Sequence, residues 1–242
     1  MRCWFCNLNV EAIQSQHVVI IVAGGQGSRM NTALPKQFLT LKGKPILFHT
    51  IEQFRHSGLP MDIVLVLPQD YLSYWQTLCA EHQFATRDIL IAIGGETRYH
   101  SVKNGLDKVK SSATIVGIHD AARPLVNASL IQRLYKSAFE KGNAIPAVPV
   151  HESLRQTNGD SNQAVDRSQF RLIQTPQVFT MDQLTKAYTL DYQHTFTDDA
   201  SVVEAAGFPI HLEEGITENI KITHPADLKY AEAMLSSVPT PP

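Results

Sequence analysis

A glycine-rich segment near the start of the chain carries the residue types best suited to holding an anion. Residues 24–27 contain three glycines, and Arg29 and Lys36 follow within a few positions. Glycines let the backbone turn sharply and bring N–H groups against an anion, because no Cβ stands in the way. The preceding residues, 18–23, form a short, β-branched apolar run that is typical of a strand buried on both faces. This pattern predicts a nucleotide phosphate site directly after a buried strand.

The segment departs from two well-known phosphate-binding motifs. A P-loop needs Lys followed by Ser or Thr after its second glycine, and this loop has no such pair. A dinucleotide fingerprint would span residues 25–30, but Met30 stands where its third glycine belongs. An NAD-dependent oxidoreductase would also need an acidic residue ~20 positions on, and the basic Lys36 counts against it. A tight strand-to-helix turn without a ligand stays open as the alternative for the glycines.

Further cations lie downstream, and one acidic residue lies among them. Arg123, Arg167 and Lys221 join the two cations of the glycine segment, against Asp120. An excess of fixed cations suits a polyanionic substrate, and no Ser-His-Asp or Cys-His pattern indicates a covalent nucleophile. Phosphoryl or nucleotidyl transfer fits, because there the protein mainly positions groups and offsets developing charge. We expect Mg²⁺ to bridge the phosphates, and no dedicated carboxylate cage is visible in the sequence.

Strands and helices alternate along most of the chain, which predicts an α/β fold with a doubly wound, mostly parallel sheet. Apolar runs predict further strands at 62–67, 88–93, 114–118 and 143–150, with helices at about 45–57, 70–82, 99–109 and 127–142. Ligands of such sheets bind beyond the carboxyl ends of the strands. The polar clusters 24–36, 94–101 and 119–124 all follow strands, so we expect them to share one crevice.

The alternation stops at residues 151–170, a polar segment with a turn signal at Asn158-Gly159-Asp160. We interpret it as a projecting β-arm that packs on a second subunit, with a mobile surface hairpin as the alternative. Beyond it the sequence predicts a helix at 181–190, a helix capped by Thr197, short strands at 210–213 and 218–222, and a last helix opened by Pro225.

Composition narrows the class of protein. A formal net charge of -2 over 242 residues and the lack of a Lys/Arg-rich run argue against nucleic-acid binding. No stretch approaches the ~18 apolar residues of a membrane span. Three cysteines argue against a disulfide framework and indicate a reducing cytoplasm. Cys3 and Cys6 form a C-x-x-C without further metal ligands at suitable spacing, so we assign them no role. We expect residues 1–16 and 237–242 to be disordered extensions of a domain that spans residues 17–236.

Several motifs resemble those of known families. AGGQGSRM with PKQF is similar to the signature loop of sugar-nucleotide-type nucleotidyltransferases. HDAARP, VDR, QTPQVF, TDDAS and ENIKITHPADL, in this order, resemble the 2-C-methyl-D-erythritol 4-phosphate cytidylyltransferases of the non-mevalonate isoprenoid pathway. The resemblance covers about residues 17–236. It implies a Rossmann-like nucleotidyltransferase fold, a homodimer joined through the β-arm, and a Mg²⁺-dependent reaction of CTP with methylerythritol phosphate that releases pyrophosphate.

The resemblance also implies roles for individual residues. Arg29, Lys36, Lys221 and Arg167 would be catalytic. CTP would be bound by Ala23, Gly24, Gly25, Gln26, Gly27, Gly95, Glu96, Ser101, Asp120 and Ala121. The sugar-alcohol phosphate would be bound by Arg123, Ser153, Arg155, Arg167, Thr175, Thr197 and Lys221, with Arg167 supplied by the arm of the partner subunit. The family often has Asp at the position of Glu96, and Thr and Lys at those of Ser153 and Arg155.

Two further functions remain as alternatives. Ribitol 5-phosphate cytidylyltransferases share the glycine loop and the TPQ and NIK segments, although HDAARP and TDDAS favour the methylerythritol enzymes. A non-catalytic nucleotide-binding protein is the more distant alternative, and the presence of all five site cations counts against it.

Overall fold

A computed structural model of the protein describes residues 16–24, 34–109 and 113–237. The strands are β1 (His17–Val22), β2 (Thr40–Leu41), β3 (Lys44–Pro45), β4 (Met61–Leu67), β5 (Ile89–Ile93), β6 (Ile115–Asp120), β7 (Asn143–Pro149), β8 (Leu154–Asn158), β9 (Ser161–Val165), β10 (Arg171–Ile173), β11 (Gln177–Thr180) and β12 (Leu212–Glu214). The α-helices are α1 (Ile46–Arg55), α2 (Leu72–Glu81), α3 (Arg98–Leu106), α4 (Ala128–Lys141), α5 (Met181–Ala187), α6 (Asp199–Ala205) and α7 (Pro225–Ser237).

The central sheet has the order β10-β7-β11-β6-β1-β4-β5, and β12 pairs with β7. Strands β6, β1, β4 and β5 are parallel neighbours, and β12 is parallel to β7. Strand β11 runs antiparallel to both β6 and β7, so these two strands point the same way. The predicted α/β fold with a mostly parallel sheet is therefore confirmed. The chain leaves β1 toward β4 on one side and returns to β6 on the other, which makes the β1–β6 edge a topological switch point.

Both faces of the sheet are covered, as the apolar run of β1 predicts. Val19 and Ile21 of β1 point into one buried cluster, together with side chains of α1, α2 and α4. Val18 and Ile20 point into the opposite cluster, which α3, α5 and α6 complete. Because successive side chains of a strand alternate between faces, a continuous apolar run is needed wherever helices pack on both sides.

Three details of the predicted secondary structure are wrong. Residues 218–222 form no strand, because Asn219 N–H and Ile222 N–H bind the carbonyl oxygens of Ile216 and Ala122 instead of a neighbouring strand. Strands β10 and β11 were not predicted at all. Helix α6 is capped not by Thr197 but by the next residue, Asp198, whose carboxylate accepts the backbone N–H of Ser201 in a capping box.

The segment predicted as an arm contains a separate two-stranded sheet. Strands β8 and β9 pair only with each other, in register from Leu154–Val165 to Asn158–Ser161. Gly159, in the turn between them, has a positive φ of 57°, which glycine adopts without strain. Most side chains of the hairpin are exposed. The packing of this hairpin on a second subunit stays a prediction. The predicted domain boundaries also stay a prediction, because residues 1–15 and 238–242 lie outside the described residues. Within the described ranges, no helix is long and apolar enough to cross a membrane.

Candidate active site

A cavity of about 1060 Å³ lies at the carboxyl ends of β1, β4, β5 and β6, beside the switch point. The three polar clusters predicted to share a crevice all contribute to its wall. The lining residues are Val22, Ala23, Gly24, Pro35, Lys36, Gln37, Pro68, Asp70, Tyr71, Gly95, Glu96, Thr97, Arg98, Ser101, Asp120, Ala121, Ala122, Lys221 and Thr223. The structure thus brings together all of the predicted CTP-binding residues that it describes. Gly25, Gln26, Gly27 and Arg29 lie outside the described residues.

The start of the glycine loop is fixed by hydrogen bonds to both sides. Ala23 N–H donates to the carbonyl oxygen of Val66 at 2.9 Å, and the Gln37 side-chain amide donates to the Ala23 carbonyl at 2.7 Å. A Cβ on Gly24 would lie 3.1 Å from the hydroxyl oxygen of Ser101, which is closer than ordinary van der Waals contact. The backbone therefore enters the cavity close against the segment that follows β5.

Lys36 is held at the cavity wall by its neighbours in sequence. It begins a single turn of 3-10 helix, Lys36–Phe38, in which Gln37 and Phe38 are buried. The Phe38 ring contacts the rings of Tyr71 and Tyr74 with centroids 5.6 and 5.3 Å apart. This anchoring limits how far the backbone of Lys36 can move and keeps the residue at the cavity wall.

The segment between β5 and α3 is shaped by a glycine without room for a side chain. A Cβ on Gly95 would approach Cβ of His100 to 2.4 Å. Gly95 N–H instead donates to the Ser101 hydroxyl at 3.0 Å, while Thr97 caps α3 by accepting the N–H of His100. Glu96 lies between these contacts and faces the cavity. The predicted CTP-binding residues Gly95, Glu96 and Ser101 therefore form one compact wall.

Asp120 ends β6 at the centre of a cluster of cations. Its Oδ2 lies 3.0 Å from Nζ of Lys221 and 3.3 Å from Nε of Arg123, and its Oδ1 lies 3.7 Å from Nε of Arg98. Burial alone would raise the pKa of Asp120, but Lys221, Arg98 and Arg123 outweigh it and hold that pKa well below its usual range. Asp120 is therefore a permanent anion that orders the surrounding cations.

Behind Asp120, a buried histidine is held in its neutral form. Nδ1 of His119 lies 3.1 Å from the Thr175 hydroxyl, and that hydroxyl accepts the Asp120 backbone N–H at 3.0 Å. Nε2 of His119 lies 3.1 Å from the carbonyl oxygen of Arg123, which only accepts. One assignment satisfies every group: the hydroxyl donates to Nδ1, and Nε2–H donates to the carbonyl. Burial lowers the pKa of His119 to about 3, despite the nearby Asp120 carboxylate.

We expect this histidine to make the protein less stable in mild acid. The pKa of His119 is about 3 in the folded protein, against 6.5 for an ordinary His. Below pH 6.5 the imidazole is therefore protonated in the unfolded chain but stays neutral in the folded protein. Each pH unit from 6.5 down toward 3 should then cost about 1.4 kcal/mol of unfolding free energy. His119→Asn should narrow the difference in stability between about pH 7.5 and 5 by about 2 kcal/mol.

Urea unfolding at both pH values, at one protein concentration, measures this effect. His56→Asn is the control, because His56 is exposed at the end of α1 and should leave the difference unchanged. Equal pH dependence in His119→Asn and the parent protein would mean that His119 is not held neutral.

The predicted acceptor-binding residues divide into three groups. Lys221 lines the cavity. Arg123 and Thr175 lie behind Asp120: Arg123 also donates to the Asn219 carbonyl at 2.8 Å, and Thr175 is buried with its hydroxyl engaged as described above. Among the described residues that line the cavity, none comes from the exposed set Ser153, Arg155, Arg167 and Thr197. Arg167 donates to the carbonyl oxygen of His151, and Arg155 to the side chain of Asn162.

Arg98 was not among the predicted site residues, although it lies within the GGETRYHS segment that contains Gly95, Glu96 and Ser101. It lines the cavity and pairs with Asp199 at the start of α6. Arg98 lies at the start of a helix that follows a strand, and this position could have identified it as a residue of the site. Its partner lies 101 positions away, and nothing in the local sequence connects the two.

The donor set of the cavity suits an anion rather than a dedicated metal cage. Lys36, Lys221 and Arg98 place positive charge on the cavity wall. In the described part of the chain, no three His, Cys, Asp or Glu side chains are grouped so that they could hold a metal ion. A divalent cation at this site would therefore take its ligands mainly from bound phosphates and water.

Comparison with known proteins agrees with this architecture. A sequence model of the family IspD, 2-C-methyl-D-erythritol 4-phosphate cytidylyltransferase, matches residues 17–237. A Bacteroides thetaiotaomicron protein named 2-C-methyl-D-erythritol 4-phosphate cytidylyltransferase is 50% identical over 217 residues, which are 90% of this chain and 98% of that protein. A Porphyromonas gingivalis protein of the same name is 44% identical over 227 residues, 93% of this chain and 100% of the relative.

Solved structures with the same name share the fold. The enzyme from Thermus thermophilus superimposes with a TM-score of 0.71 at 31% identity, covering 91% of this chain and 98% of that one. The enzyme from Francisella tularensis gives a TM-score of 0.75 at 32% identity, covering 90% and 98%. Since the match extends from β1 through α7 and takes in the whole cavity wall, the chain belongs to the 2-C-methyl-D-erythritol 4-phosphate cytidylyltransferase family of nucleotidyltransferases.

Proposed function

We propose that this protein transfers CMP from CTP to 2-C-methyl-D-erythritol 4-phosphate, giving 4-diphosphocytidyl-2-C-methyl-D-erythritol and pyrophosphate. The observation that carries the proposal is the cavity at the switch point. Lys36, Lys221 and Asp120 all line this cavity, and the chain belongs to this enzyme family. Ribitol 5-phosphate is the less favoured acceptor, because the relatives described above are named for methylerythritol phosphate.

In the proposed reaction, a phosphate oxygen of the acceptor attacks the α-phosphorus of CTP in line. A new P–O bond forms on one side, the bond to the β-phosphate breaks on the other, and pyrophosphate leaves with its electron pair. No general base is needed, because a phosphate monoester is already largely ionised at pH 7. Lys36 and Arg29 offset charge on the reacting oxygens, and each such group lowers the barrier by about 2–4 kcal/mol.

The remaining residues bind and orient the two substrates. The backbone of residues 23–27 holds the triphosphate, and Gly95, Glu96 and Ser101 face the cytosine and ribose. Asp120 and Ala121 meet the ribose. The acceptor is held by Ser153, Arg155, Thr197 and Lys221, and by Arg167 from the hairpin of a partner subunit. Arg123 and Thr175, whose side chains are engaged behind Asp120, support this pocket indirectly. A homodimer would explain why Arg167, Ser153 and Arg155 are exposed on the hairpin segment of a single chain.

Mg²⁺ is the proposed cofactor. Because the described residues include no group of three His, Cys, Asp or Glu side chains that could hold a metal ion, the ion would bind chiefly through the phosphates. When bound, it would neutralise phosphate charge. We further propose that the protein works in the cytoplasm, on the strength of its three cysteines and the reducing compartment they indicate.

Release of pyrophosphate tests the proposal directly. The protein is incubated with CTP and Mg²⁺, and either methylerythritol phosphate or ribitol 5-phosphate is added. Release that requires methylerythritol phosphate is the expected result. A preference for ribitol phosphate would reverse the acceptor assignment, and release with neither acceptor would refute the proposed transferase activity.

Arg167→Ala should mainly raise KM for the acceptor and leave KM for CTP nearly unchanged, because the removed guanidinium would bind only the acceptor phosphate. Loss of one charge-assisted hydrogen bond predicts a rise on the order of tenfold or more. Steady-state kinetics with each substrate varied in turn measures it. Arg87→Ala, in the exposed turn before β5, is the matched control and should behave like the parent protein. An unchanged acceptor KM in Arg167→Ala would contradict the arm hypothesis.

A further inference from the structure

Arg98 is a cation of the cavity wall whose guanidinium is engaged mainly by other side chains of the protein. Its Nη1 and Nη2 donate to the two carboxylate oxygens of Asp199 at 2.9 and 2.6 Å, a bidentate pair. Asp199 is fully buried and also accepts the Tyr188 hydroxyl at 2.7 Å. This geometry fixes both the position and the plane of the guanidinium. Because the fork already holds a carboxylate, Arg98 is poorly placed to clamp a phosphate in the same way.

What remains of the guanidinium faces Asp120. Nε of Arg98 lies 3.7 Å from Oδ1 of Asp120, whereas Lys221 and Arg123 both approach Oδ2. The two oxygens of Asp120 are therefore held by different partners. Oδ2 has two cations within 3.3 Å, and Oδ1 has one cation at a longer distance. An ionised carboxylate oxygen accepts more than one hydrogen bond, so Oδ1 keeps capacity for a donor from the cavity.

The donor that reaches Oδ1 can be inferred from the surrounding wall. Arg98 follows Gly95, Glu96 and Thr97 along one side of the cavity, the side that the proposed function gives to the nucleoside. A neutral hydroxyl group can donate to Oδ1, whereas a phosphate at that spot would be repelled by the carboxylate. Of the chemical groups of a nucleoside triphosphate, a ribose hydroxyl fits this requirement.

We propose that Arg98, locked by Asp199, is a positioning residue that orients Asp120 to accept a hydrogen bond from a ribose hydroxyl of the bound nucleotide. The inference rests on the proposed function, because it takes the nucleotide to be CTP. The protein would then select ribonucleotides over deoxyribonucleotides, and this selectivity would depend partly on Asp199 of α6, which does not line the cavity. Arg98 itself does not touch the reacting atoms.

Binding of CTP and its deoxy forms, measured by calorimetry without acceptor, tests the proposal. The parent protein should bind CTP more tightly than 2′-deoxy-CTP or 3′-deoxy-CTP, on the order of tenfold for the hydroxyl that Asp120 accepts. In Arg98→Lys this ratio should fall toward one, because an ammonium keeps the charge but cannot form the bidentate pair. Asp199→Asn should have the same effect, since it frees the guanidinium.

The matched control is Arg55→Lys. Arg55 makes an equally short bidentate pair with Asp88, at 2.8 and 2.6 Å, away from the cavity. This variant should keep the parent's ratio of CTP to deoxy-CTP affinity, although it loses a pair of the same chemistry. Thermal unfolding of each variant separates loss of fold from loss of selectivity. Should Arg98→Lys not fold, Tyr188→Phe, which removes one hydrogen bond to Asp199, is expected to lower the ratio by a smaller factor.

The outcomes separate this inference from the proposed function. Equal affinity of the parent protein for CTP and both deoxy forms would overturn the inference, and so would an unchanged ratio in Arg98→Lys and Asp199→Asn. In either case, pyrophosphate release with methylerythritol phosphate would still support the transferase. Conversely, CTP binding with the expected ratios but without turnover would refute the transferase and leave the role of Arg98 intact.

Discussion

Lys36→Ala should lower kcat by about a hundred- to a thousandfold, the effect of removing one group that stabilises charge in the transition state. Lys36 lines the cavity next to the end of β1, where the phosphate chain of CTP is proposed to lie. Charge moves onto the leaving pyrophosphate as the bond breaks, so a cation at this position acts more strongly on the transition state than on the bound substrate. The KM for CTP should change much less than kcat.

A nearby lysine provides the comparison for this variant. Lys44 is half-exposed and pairs with Glu52 at 2.9 Å, outside the cavity wall. Lys44→Ala removes the same charge from the same region and should retain near-normal turnover. Circular dichroism and thermal unfolding should show both variants folded, because Gln37 and Phe38, rather than Lys36, fill the buried space of this turn. Near-normal kcat in Lys36→Ala would remove Lys36 from the proposed mechanism.

The general position of the site could be predicted because it follows from strand direction alone. Each apolar run marks a buried strand, and each polar cluster comes directly after one, so parallel strands bring the clusters to a common edge. Gly24, Gly95 and Asp120 lie on the cavity wall for this reason. The sequence did not reveal why position 95 must be glycine; the reason is that Cβ and the backbone of His100 leave no space for a Cβ.

Contacts between distant segments could not be predicted. Strand β11 is four residues long, follows Pro176 and lacks the length of the other predicted strands. Its place between β6 and β7 depends on pairing with both. Residues 218–222 show the opposite error, because a strand was predicted there and the structure has none. Asn219 is buried by its hydrogen bond to the Thr175 carbonyl, and Ile222 by packing against β2 and α7. The Arg98–Asp199 pair could not be predicted for the same reason, because it joins residues that are 101 positions apart.

The second large effect is expected at Asp120. Asp120→Asn leaves Lys221, Arg123 and Arg98 close together without the carboxylate that now lies between them. Breaking a largely buried ion pair by removing one partner costs about 3–5 kcal/mol, and here three cations lose the same partner. The variant should therefore unfold at lower urea concentration at pH 7 and lose nearly all turnover, because Lys221 and the proposed ribose contact are both displaced. Asp88→Asn, at the half-exposed Arg55 pair, should cost less than about 1 kcal/mol.

The pH dependence distinguishes Asp120 from its neighbour His119. The folded-state pKa of Asp120 is depressed, so its stabilisation is complete above the unfolded pKa of about 3.9 and is lost progressively as pH falls from there to the lower, folded value. The window of His119 begins higher, at about pH 6.5, and extends down to its folded pKa of about 3, so above about pH 4 only His119 acts. In Asp120→Asn the loss of stability between pH 6.5 and 5 should therefore persist, while the stability difference from the parent protein should shrink below about pH 4. A constant difference down to pH 3 would mean that Asp120 does not hold its charge through the cation cluster.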